Sequence, residues 1–410
     1  MVSNRKAMPV IIKILTSNLL HKEEPMSYDL TEEQEMLKET VARIAKEQIA
    51  PGAAERDEKA EFPWDMVELL RENALFGADY PEKFGGSEMG LFSLCLIIEE
   101  IAKVCASTSV VLLVHELGTT PIMLAGNDEQ KERYFPKLAT GEHLIAFGLT
   151  EPNAGSDVSG LKTKAVKDGD DYIINGTKTF ISHADVADVV CIAARTNTSV
   201  PGPKGTGIFI VDKGTPGFSI GKHEDKMGVR GSSTVEIIME DVRVPARNIL
   251  GGKALGFPIL MKTLDLTRIP VAAQAVGIAQ GALDYAVNYT KERTQFGKPI
   301  FSFQGLQWMM ADMTTQVEAA RQLTYKAASL FEKFPKNLDR LPKEAVRQSA
   351  MAKLFAGETA MKVTTDAVQL LGGYGYVKEY PVERMMRDAK ITQIYEGTSQ
   401  IQKVVIAATL

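Results

Sequence analysis

The chain has 410 residues, with 47 Lys and Arg against 52 Asp and Glu, a net charge of −5, a pI near 5.8 and 45% hydrophobic content. That length calls for two or three domains of roughly 100–200 residues each, and the absence of a basic stripe argues against nucleic acid as a partner. The three cysteines, Cys95, Cys105 and Cys191, are odd in number and widely spaced, which excludes a CxxC zinc site or a disulfide framework and fits a reducing compartment.

The first 25 residues are apolar at Pro9-Val10-Ile11-Ile12, but Lys13 interrupts the run and no small-residue cleavage site follows. Residues 1–25 read as an extension or a misassigned start, with Met26 opening the first domain, 26–143. Thr31 with Gln34 makes a capping-box start, and Met36, Leu37, Val41, Ile44 and Ala45 recur at helical spacing until Pro51. Further helices are expected over Trp64–Asn73, Leu91–Val104, Ser109–Leu117 and Asp128–Leu138, punctuated by Pro81, Gly85, Gly86 and Gly118. Cys95 and Cys105 read as small core residues within this helical text.

The period changes over a second domain, 144–254. Leu144–Leu149, Tyr172–Ile174, Val189–Ile192, Gly207–Val211 and Val235–Met239 read as short strands, with turn signals at Asp168-Gly169 and Asn175-Gly176. This predicts a small all-β or barrel-like unit. Helical text returns over 255–410: a long helix entered at Pro258, running to Glu292 and kinked at Pro270, then Gly305–Phe331, Lys343–Leu371 and Thr398–Ala408. The chain is therefore expected to be α+β, with helical domains flanking a β domain. No stretch approaches the roughly 20 consecutive apolar residues of a membrane span.

No Walker A loop, GxGxxG, HExxH or GxSxG is present, and the five histidines are scattered. No metal site is expected. What stands out are polar loops beside apolar strands. Thr150–Asp157 offers hydroxyls and backbone N–H groups, and read alone is equally a surface turn. Lys178–His183 places an aromatic before a hydroxyl on a strand. Glu396 precedes Gly397 among Ile394 and Tyr395, and Thr398 or Ser399 caps the helix that follows. A carboxylate in apolar company has a raised pKa and can act as a base, although by itself a loop glutamate is more often solvated.

Six segments in order resemble the acyl-CoA dehydrogenase family over about residues 27–408: Thr150–Asp157, Asp225–Thr234, Asp241–Pro245, Arg293–Gly297, Gln369–Gly373 and Arg387–Thr398. The nearest likeness is to short-chain, butyryl-CoA-type members. The resemblance implies an N-terminal helical domain, a middle β-barrel-like domain and a C-terminal four-helix domain. It also implies FAD, a homotetramer built as a dimer of dimers, and electron transfer flavoprotein as acceptor. The expected location is the cytoplasm in a bacterium or the mitochondrial matrix in a eukaryote.

Carried over by position, Phe147, Leu149, Thr150 and Ser156 would line the flavin site, with Phe180, Ile181 and Ser182 against the ring. Phe180 and Ser182 replace the common Trp and Thr, and His183 has no assigned role. Arg293, Phe296, Gln304, Gln369, Leu370, Gly372 and Gly373 would reach the FAD of a neighbouring subunit, and Thr398 and Gln400 make the last cofactor contacts. Ser156, Asp265, Leu266, Thr267, Arg268, Tyr395 and Gly397 would hold the acyl-CoA; Asp265 and Arg268 are equally an ordinary i,i+3 ion pair. Glu396 resembles the catalytic base; some members instead place theirs on the helix that contains Thr267, and Thr267 cannot deprotonate a substrate near neutral pH. The implied reaction removes the α-proton with Glu396, transfers the β-hydride to the flavin and yields a trans-2-enoyl-CoA.

One departure concerns the acyl pocket. His115-Glu116 stands where relatives often have Asn-Ser. Glu116 either points away or pairs with His115 or an arginine, shapes the pocket for a branched or alicyclic acyl group, or is a second base, in decreasing order of preference. Short acyl groups are favoured. Rival readings are an acyl-CoA oxidase, whose further C-terminal domain is not seen before Leu410, and a non-catalytic acyl-CoA and FAD-binding homologue.

Overall fold

The computed structural model describes residues 30–252 and 255–410. The expected extension over residues 1–25 and the start at Met26 lie outside the described residues, and the expected boundary at residue 254 falls on the gap.

The N-terminal part is helical. Helix α1 (Glu32–Ile44) starts at the expected capping box, with Thr31 Oγ1 accepting from Gln34 N at 3.2 Å and Gln34 Oε1 accepting from Thr31 N at 3.1 Å. Pro51 does not end the run cleanly. The chain passes through a π-turn at Ala45–Ile49 and a 3-10 turn at Ala50–Gly52 into the short helix α2 (Ala53–Lys59). Helices α3 (Trp64–Glu72), α4 (Gly90–Ala102) and α6 (Asp128–Ala139) lie where the periodicity places them.

Helix α5 (Ala106–Ala125) is longer than expected and continues through Gly118 and Pro121. Gly118 fits because a Cβ there would meet the Ile145 side chain at 2.8 Å. This helix is apolar on nearly every face. It is long enough to cross a membrane by length and composition, but 89% of its apolar window is buried within the fold.

The middle part is one seven-stranded mixed sheet: β1 (Ile145–Gly148), β2 (Lys164–Asp168), β3 (Asp171–Ser182), β4 (Val189–Arg195), β5 (Thr206–Asp212), β6 (Phe218–His223) and β7 (Thr234–Pro245). The order is β1-β4-β2-β3-β7-β6, with β5 also on β4. Strands β2 and β6 are additions to the sequence reading; their residues are half-exposed and polar, so they lack an apolar signature. The turn expected at Asn175-Gly176 is instead a bulge inside β3, where the register against β7 slips between Ile174 and Gly176. Gly176 has φ +151°, and a Cβ there would sit 2.5 Å from Thr163 Oγ1, so only glycine fits.

The C-terminal part contains α7 (Gly256–Glu292), the β8–β9 hairpin (Thr294–Gln295 and Lys298–Pro299), α8 (Gln304–Phe331), α9 (Lys343–Leu371), α10 (Pro381–Ala389) and α11 (Ser399–Thr409). Helix α10 was not anticipated. Helix α7 is the hub: it runs unbroken through Pro270 and packs against α4, α5, α8 and α9. Its stretch of Val271, Ala272, Ala273, Ala275, Ala279 and Ala282 is fully buried, and small residues let the helix axes close.

Backbones meet at Gly277 and Gly281, where an added Cβ would lie 2.3 Å from the Glu99 carbonyl and 2.0 Å from the Lys103 carbonyl. Gly281→Ala is therefore expected to force α4 from α7 and destabilise the fold by about 1–3 kcal/mol. Denaturant unfolding should show a lowered midpoint with an unchanged slope; an unaltered midpoint would refute the close-packing account.

Candidate active site

Three groups of side chains were singled out in the sequence, and the fold treats them differently. The first is on the sheet. Phe147 and Leu149 are buried at the end of β1, and the chain then enters the Thr150–Asp157 loop. That loop is tied to β3 by Thr179 N donating to the Thr150 carbonyl at 2.9 Å.

A buried clamp lies behind it. Lys178 is fully buried and its ammonium donates to Glu151 Oε1 at 2.7 Å and to the Leu149 carbonyl at 3.1 Å. Glu151 also accepts from the backbone N–H groups of Lys162 and Thr163 at 2.6 and 3.0 Å. Burial lowers the Lys178 pKa to about 8 against the opposing pull of Glu151.

Two residues on, β3 bulges again between Lys178 and Ile181. Phe180 sits in that bulge at φ +58° and is 62% exposed. A bulge re-aims a side chain, and here it turns a flat apolar wall outward beside half-buried Ser182 and Thr150. Ile181 departs from the expectation. Its side chain is buried in the core, because strand alternation turns it away from its neighbours, so only its backbone is available on that face. His183, at φ +62°, is buried with its Nε2 2.8 Å from Ser232 Oγ and its ring edge-on to Phe62. Burial lowers its pKa to about 3, so it is neutral.

The second group surrounds Glu396. The loop before α11 places Glu396 at φ +49° and Gly397 at φ +95°. A Cβ at Gly397 would meet Gln402 Nε2 at 2.7 Å. The Glu396 carboxylate accepts from Thr267 Oγ1 at 2.5 Å, which seats it against the middle of α7. On that helix Arg268 pairs with Asp265 at 2.6 Å. Leu266 is buried on a different side of α7, facing the Glu116 region. Ser156 is exposed on its loop.

Burial raises the Glu396 pKa to about 7, while the Thr267 hydroxyl, Lys353 and Arg268 favour the ionised form. Among the described residues no acceptor takes the Glu396 backbone N–H, which leaves a donor free beside the carboxylate.

Tyr395 is tied by its hydroxyl to Gln274 Oε1, and Gln274 Nε2 donates to Ser109 Oγ at 2.9 Å, so α5, α7 and the loop share one buried polar chain. Thr398 caps α11, its hydroxyl accepting from Ile401 N at 3.3 Å, and Gln400 is exposed in the first turn.

The third group is a separate surface. Arg293 stacks over the Tyr374 ring at 5.2 Å, which brings the end of α7 to the Gly372–Tyr376 turn. Phe296 is 91% exposed on the β8–β9 turn, edge-on to Phe303, and Gln304 opens α8. Gly372, at φ +61°, and Gly373 have no atom within 4 Å of a notional Cβ, so backbone is accessible there. The Leu370 side chain is buried in the core; like Ile181, it can offer only backbone. Gln369 N–H and side chain lie on α9 just before this turn. Among the described residues no hydrogen bond, ion pair or ring contact joins this surface to the Phe180 wall.

Glu116 does not pair with His115. His115 Nε2 lies 2.9 Å from the Leu138 carbonyl, and its ring packs edge-on to Phe76. Glu116 accepts from Thr120 Oγ1 at 3.1 Å in a narrow cavity lined by Asp79, Tyr80, Lys336 and Leu266. Burial raises its pKa to about 7, with Asp79 adding to the rise and Lys336 opposing it. Asp79 itself pairs with Lys336, from the segment between α8 and α9.

Four site residues escaped the sequence reading: Glu151, Lys178, Gln274 and Lys353. Two carried a signal. Gln274 is a lone amide in Val271–Val276, and Lys353 a lone charge in an alanine-rich helical face; both patterns mark a buried polar group that must find a partner.

Helices, a mixed sheet and a second helical part, with a half-buried glutamate held against the central helix, define an acyl-CoA dehydrogenase fold. The sequence profiles of the N-terminal, middle and C-terminal domains of acyl-CoA dehydrogenases match residues 31–142, 146–242 and 254–410. The chain belongs to the acyl-CoA dehydrogenase family and is an oxidoreductase of that family.

It is 49% identical to the short-chain-specific acyl-CoA dehydrogenase of Clostridium acetobutylicum, covering 94% of this chain and 100% of that one. It is 50% identical to the cyclohex-1-ene-1-carbonyl-CoA dehydrogenase of Geobacter metallireducens, covering 93% and 98%. Among solved structures, butyryl-CoA dehydrogenase from Megasphaera elsdenii superposes with a TM-score of 0.89 at 45% identity, covering 93% and 99%. A chain from the structure described as the electron transferring flavoprotein of Acidaminococcus fermentans gives 0.89 at 48% identity, covering 93% and 98%.

The Lys178–Glu151 clamp generates a stability prediction. Lys178→Met leaves Glu151 buried without its counter-charge and should cost about 3–5 kcal/mol, whereas the double change Lys178→Met with Glu151→Leu should cost clearly less. A double-mutant cycle by denaturant unfolding reads this directly; additive losses would remove the clamp.

Proposed function

We propose that the protein is an FAD-dependent acyl-CoA dehydrogenase that converts a short-chain acyl-CoA thioester to its trans-2-enoyl-CoA, with Glu396 as the α-proton base. The observation that carries this is the half-buried Glu396 carboxylate, held against Thr267 on α7 with its pKa raised to about 7. A base poised near the working pH combines a useful ionised fraction with a strong pull on the proton.

The residues present suit FAD. Phe180 supplies an exposed flat wall beside two hydroxyls, at Thr150 and Ser182. Arg293 presents a guanidinium, and Gly372-Gly373 an open stretch of backbone, both suited to a pyrophosphate. When bound, FAD supplies the two-electron acceptor for the β-hydrogen. Because no hydrogen bond, ion pair or ring contact joins the two groups among the described residues, the reading includes a second subunit that brings Arg293, Phe296, Gln304 and Gly372-Gly373 to the Phe180 wall, in a homotetramer.

The protein's own part is orientation and proton transfer. Asp265 and Arg268 on α7 would lie along the thioester's pantetheine arm, and the Glu396 N–H would donate to its carbonyl oxygen. Charge developing on that oxygen as the α-proton leaves is stabilised by a donor already in place. Thr267 orients the carboxylate and takes no proton.

A short acyl group is favoured by the Tyr395–Gln274–Ser109 chain, which fills the space between α5 and α7 with bonded polar groups. Action of the Clostridium relative on short chains supports the same class. The cyclohexene-carbonyl relative keeps an alicyclic acyl group as the second reading. Electron transfer flavoprotein is the proposed electron acceptor, supported by the similarity to the Acidaminococcus chain.

The test is anaerobic mixing of holoenzyme with butyryl-, octanoyl-, isobutyryl- and cyclohexanecarboxyl-CoA while following flavin absorbance. Butyryl-CoA should bleach the wild type fastest, and Glu396→Gln should slow bleaching by at least about 10³-fold. Fast bleaching in Glu396→Gln would sink the assignment of the base.

The pH dependence has a definite sign. Glu396 must be ionised, so the rate of reduction at low substrate should fall as pH drops through about 7 and level off above it. A flat profile between pH 6 and 8 would contradict the raised pKa (stopped-flow rates in a single buffer series would decide it).

A further inference from the structure

Below the Glu396 loop, on α9, lies Lys353. It is 1% exposed and among the largest fully buried side chains of the protein. A lysine is rarely buried unless paired. Yet among the described residues Lys353 makes no ion pair, and its hydrogen bond goes to the Gly397 carbonyl at 2.6 Å. Two of its three N–H donors are thus without a protein acceptor. Such an arrangement costs stability, since an ammonium group loses its hydration on burial. The segment it touches is the one that sets the direction of the Glu396 carboxylate.

That segment is in an unfavourable conformation. Glu396 adopts φ +49°, a left-handed geometry that is strained for a non-glycine residue. It persists only if neighbouring bonds impose it. The bonds present converge on one atom: the Gly397 carbonyl accepts from Lys353 Nζ at 2.6 Å and from Gln402 Nε2 at 2.9 Å. Gln402 Nε2 also reaches the Glu396 carbonyl at 3.3 Å.

Charge is the second part of the arrangement. The groups that act on Glu396 are Thr267 and Arg268 from α7 and Lys353 from α9. Arg268 is already committed to Asp265. Glu358, the other acid acting on Lys353, is engaged by Ser399 Oγ at 2.6 Å and Gln393 Nε2 at 2.9 Å. Lys353 and Glu396 are therefore left as each other's principal uncommitted counter-charges, without direct contact.

We infer that Lys353 is a positioning residue for proton transfer at Glu396: its buried ammonium fixes the left-handed turn through the Gly397 carbonyl and supports the ionised carboxylate before it takes the α-proton. This rests on Glu396 being the base. The lowered pKa of Lys353, about 8 through burial, with Glu396 opposing the fall and Arg268 adding to it, agrees with a lysine kept charged mainly by that acid.

The experiment separates the two contributions. Acetyl-CoA has α-hydrogens but no β-carbon to oxidise, so exchange of its α-protons in deuterium oxide, followed by NMR with the holoenzyme, reads the base without net oxidation. Lys353→Gln retains a donor for the Gly397 carbonyl but removes the charge. Its exchange rate should keep its plateau while the acid limb of the pH profile moves up by about one unit, because the ionised carboxylate loses a neighbouring cation. Lys353→Met removes both and should show the same shift with a plateau lower by at least about tenfold. Lys353→Arg should restore the limb toward that of the wild type.

If the limb of Lys353→Gln coincides with the wild type, the charge role is overturned. If Lys353→Met keeps the full plateau, the role in fixing the turn is overturned. Should Lys353→Met fail to fold, Lys353→Gln and Lys353→Arg still decide the charge role, and Gln402→Leu, which removes the other donor to the same carbonyl, should lower the plateau without moving the limb. Exchange that survives in Glu396→Gln overturns the base and this inference together; loss of exchange there, with an unmoved limb in Lys353→Gln and a full plateau in Lys353→Met, overturns this inference alone.

Discussion

The structure depends on one constraint: α7 must be buried on nearly all sides and still carry the polar residues that face Glu396. Thr267, Arg268 and Gln274 are all buried on a helix whose other core positions are mostly Ile, Val, Ala and Gly. Each buried polar group has to be bonded or its desolvation destabilises the fold. Arg268 pairs with Asp265, Thr267 with Glu396, and Gln274 with Tyr395 and Ser109. For Thr267 and Gln274 the bonds that satisfy the helix are thus the same bonds that place the loop carrying Glu396. The fold and the site cannot be varied independently at these positions.

The same logic governs the sheet. Lys178 and Glu151 are buried where the β1 end, the Thr150 loop and β3 converge, and besides each other they bond three backbone groups between them. A paired charge inside the protein does little for net stability, but it specifies geometry, because no other arrangement satisfies both ions. Here the geometry specified is that of the loop next to the exposed Phe180 ring. The bulge that exposes Phe180 interrupts the ladder on β7, so rigidity lost from strand pairing is supplied by the ion pair behind it.

How much of this was legible in the sequence follows from the physics of each signal. Long helices with periodic apolar faces, such as α8 and α9, and strands with continuous apolar runs, such as β4 and β5, were read with nearly their observed bounds. Strands β2 and β6 were missed because half-exposed polar strands have no apolar alternation, and Asn175-Gly176 was misread because a bulge and a hairpin turn both call for glycine at positive φ. Glu396 was found through a resemblance across six segments; its apolar neighbours alone did not separate it from a surface loop acid. Long-range partners were beyond reach. That Lys353 meets Gly397, 44 positions away, or Tyr395 meets Gln274, 121 away, is a property of the packed helices and not of local spacing.

A single chain presents the Phe180 wall on its sheet and the Arg293–Tyr374 surface at the far end of α7, and neither is complete as a cofactor cradle. Phe296 is the most exposed large apolar residue described, on a turn where it has φ +53° and Gly297 follows at φ +78°. Left-handed backbone and a fully exposed ring are both costly in a monomer, through strain and through apolar hydration. Among the described residues the ring contact Phe296 makes is the Phe303 edge, and the residue stays 91% exposed. In the proposed assembly the offsetting contact would lie in another subunit, and α7 would then link two half-sites: at its middle the carboxylate it positions, and at its end the arginine it would extend toward a neighbour's cofactor.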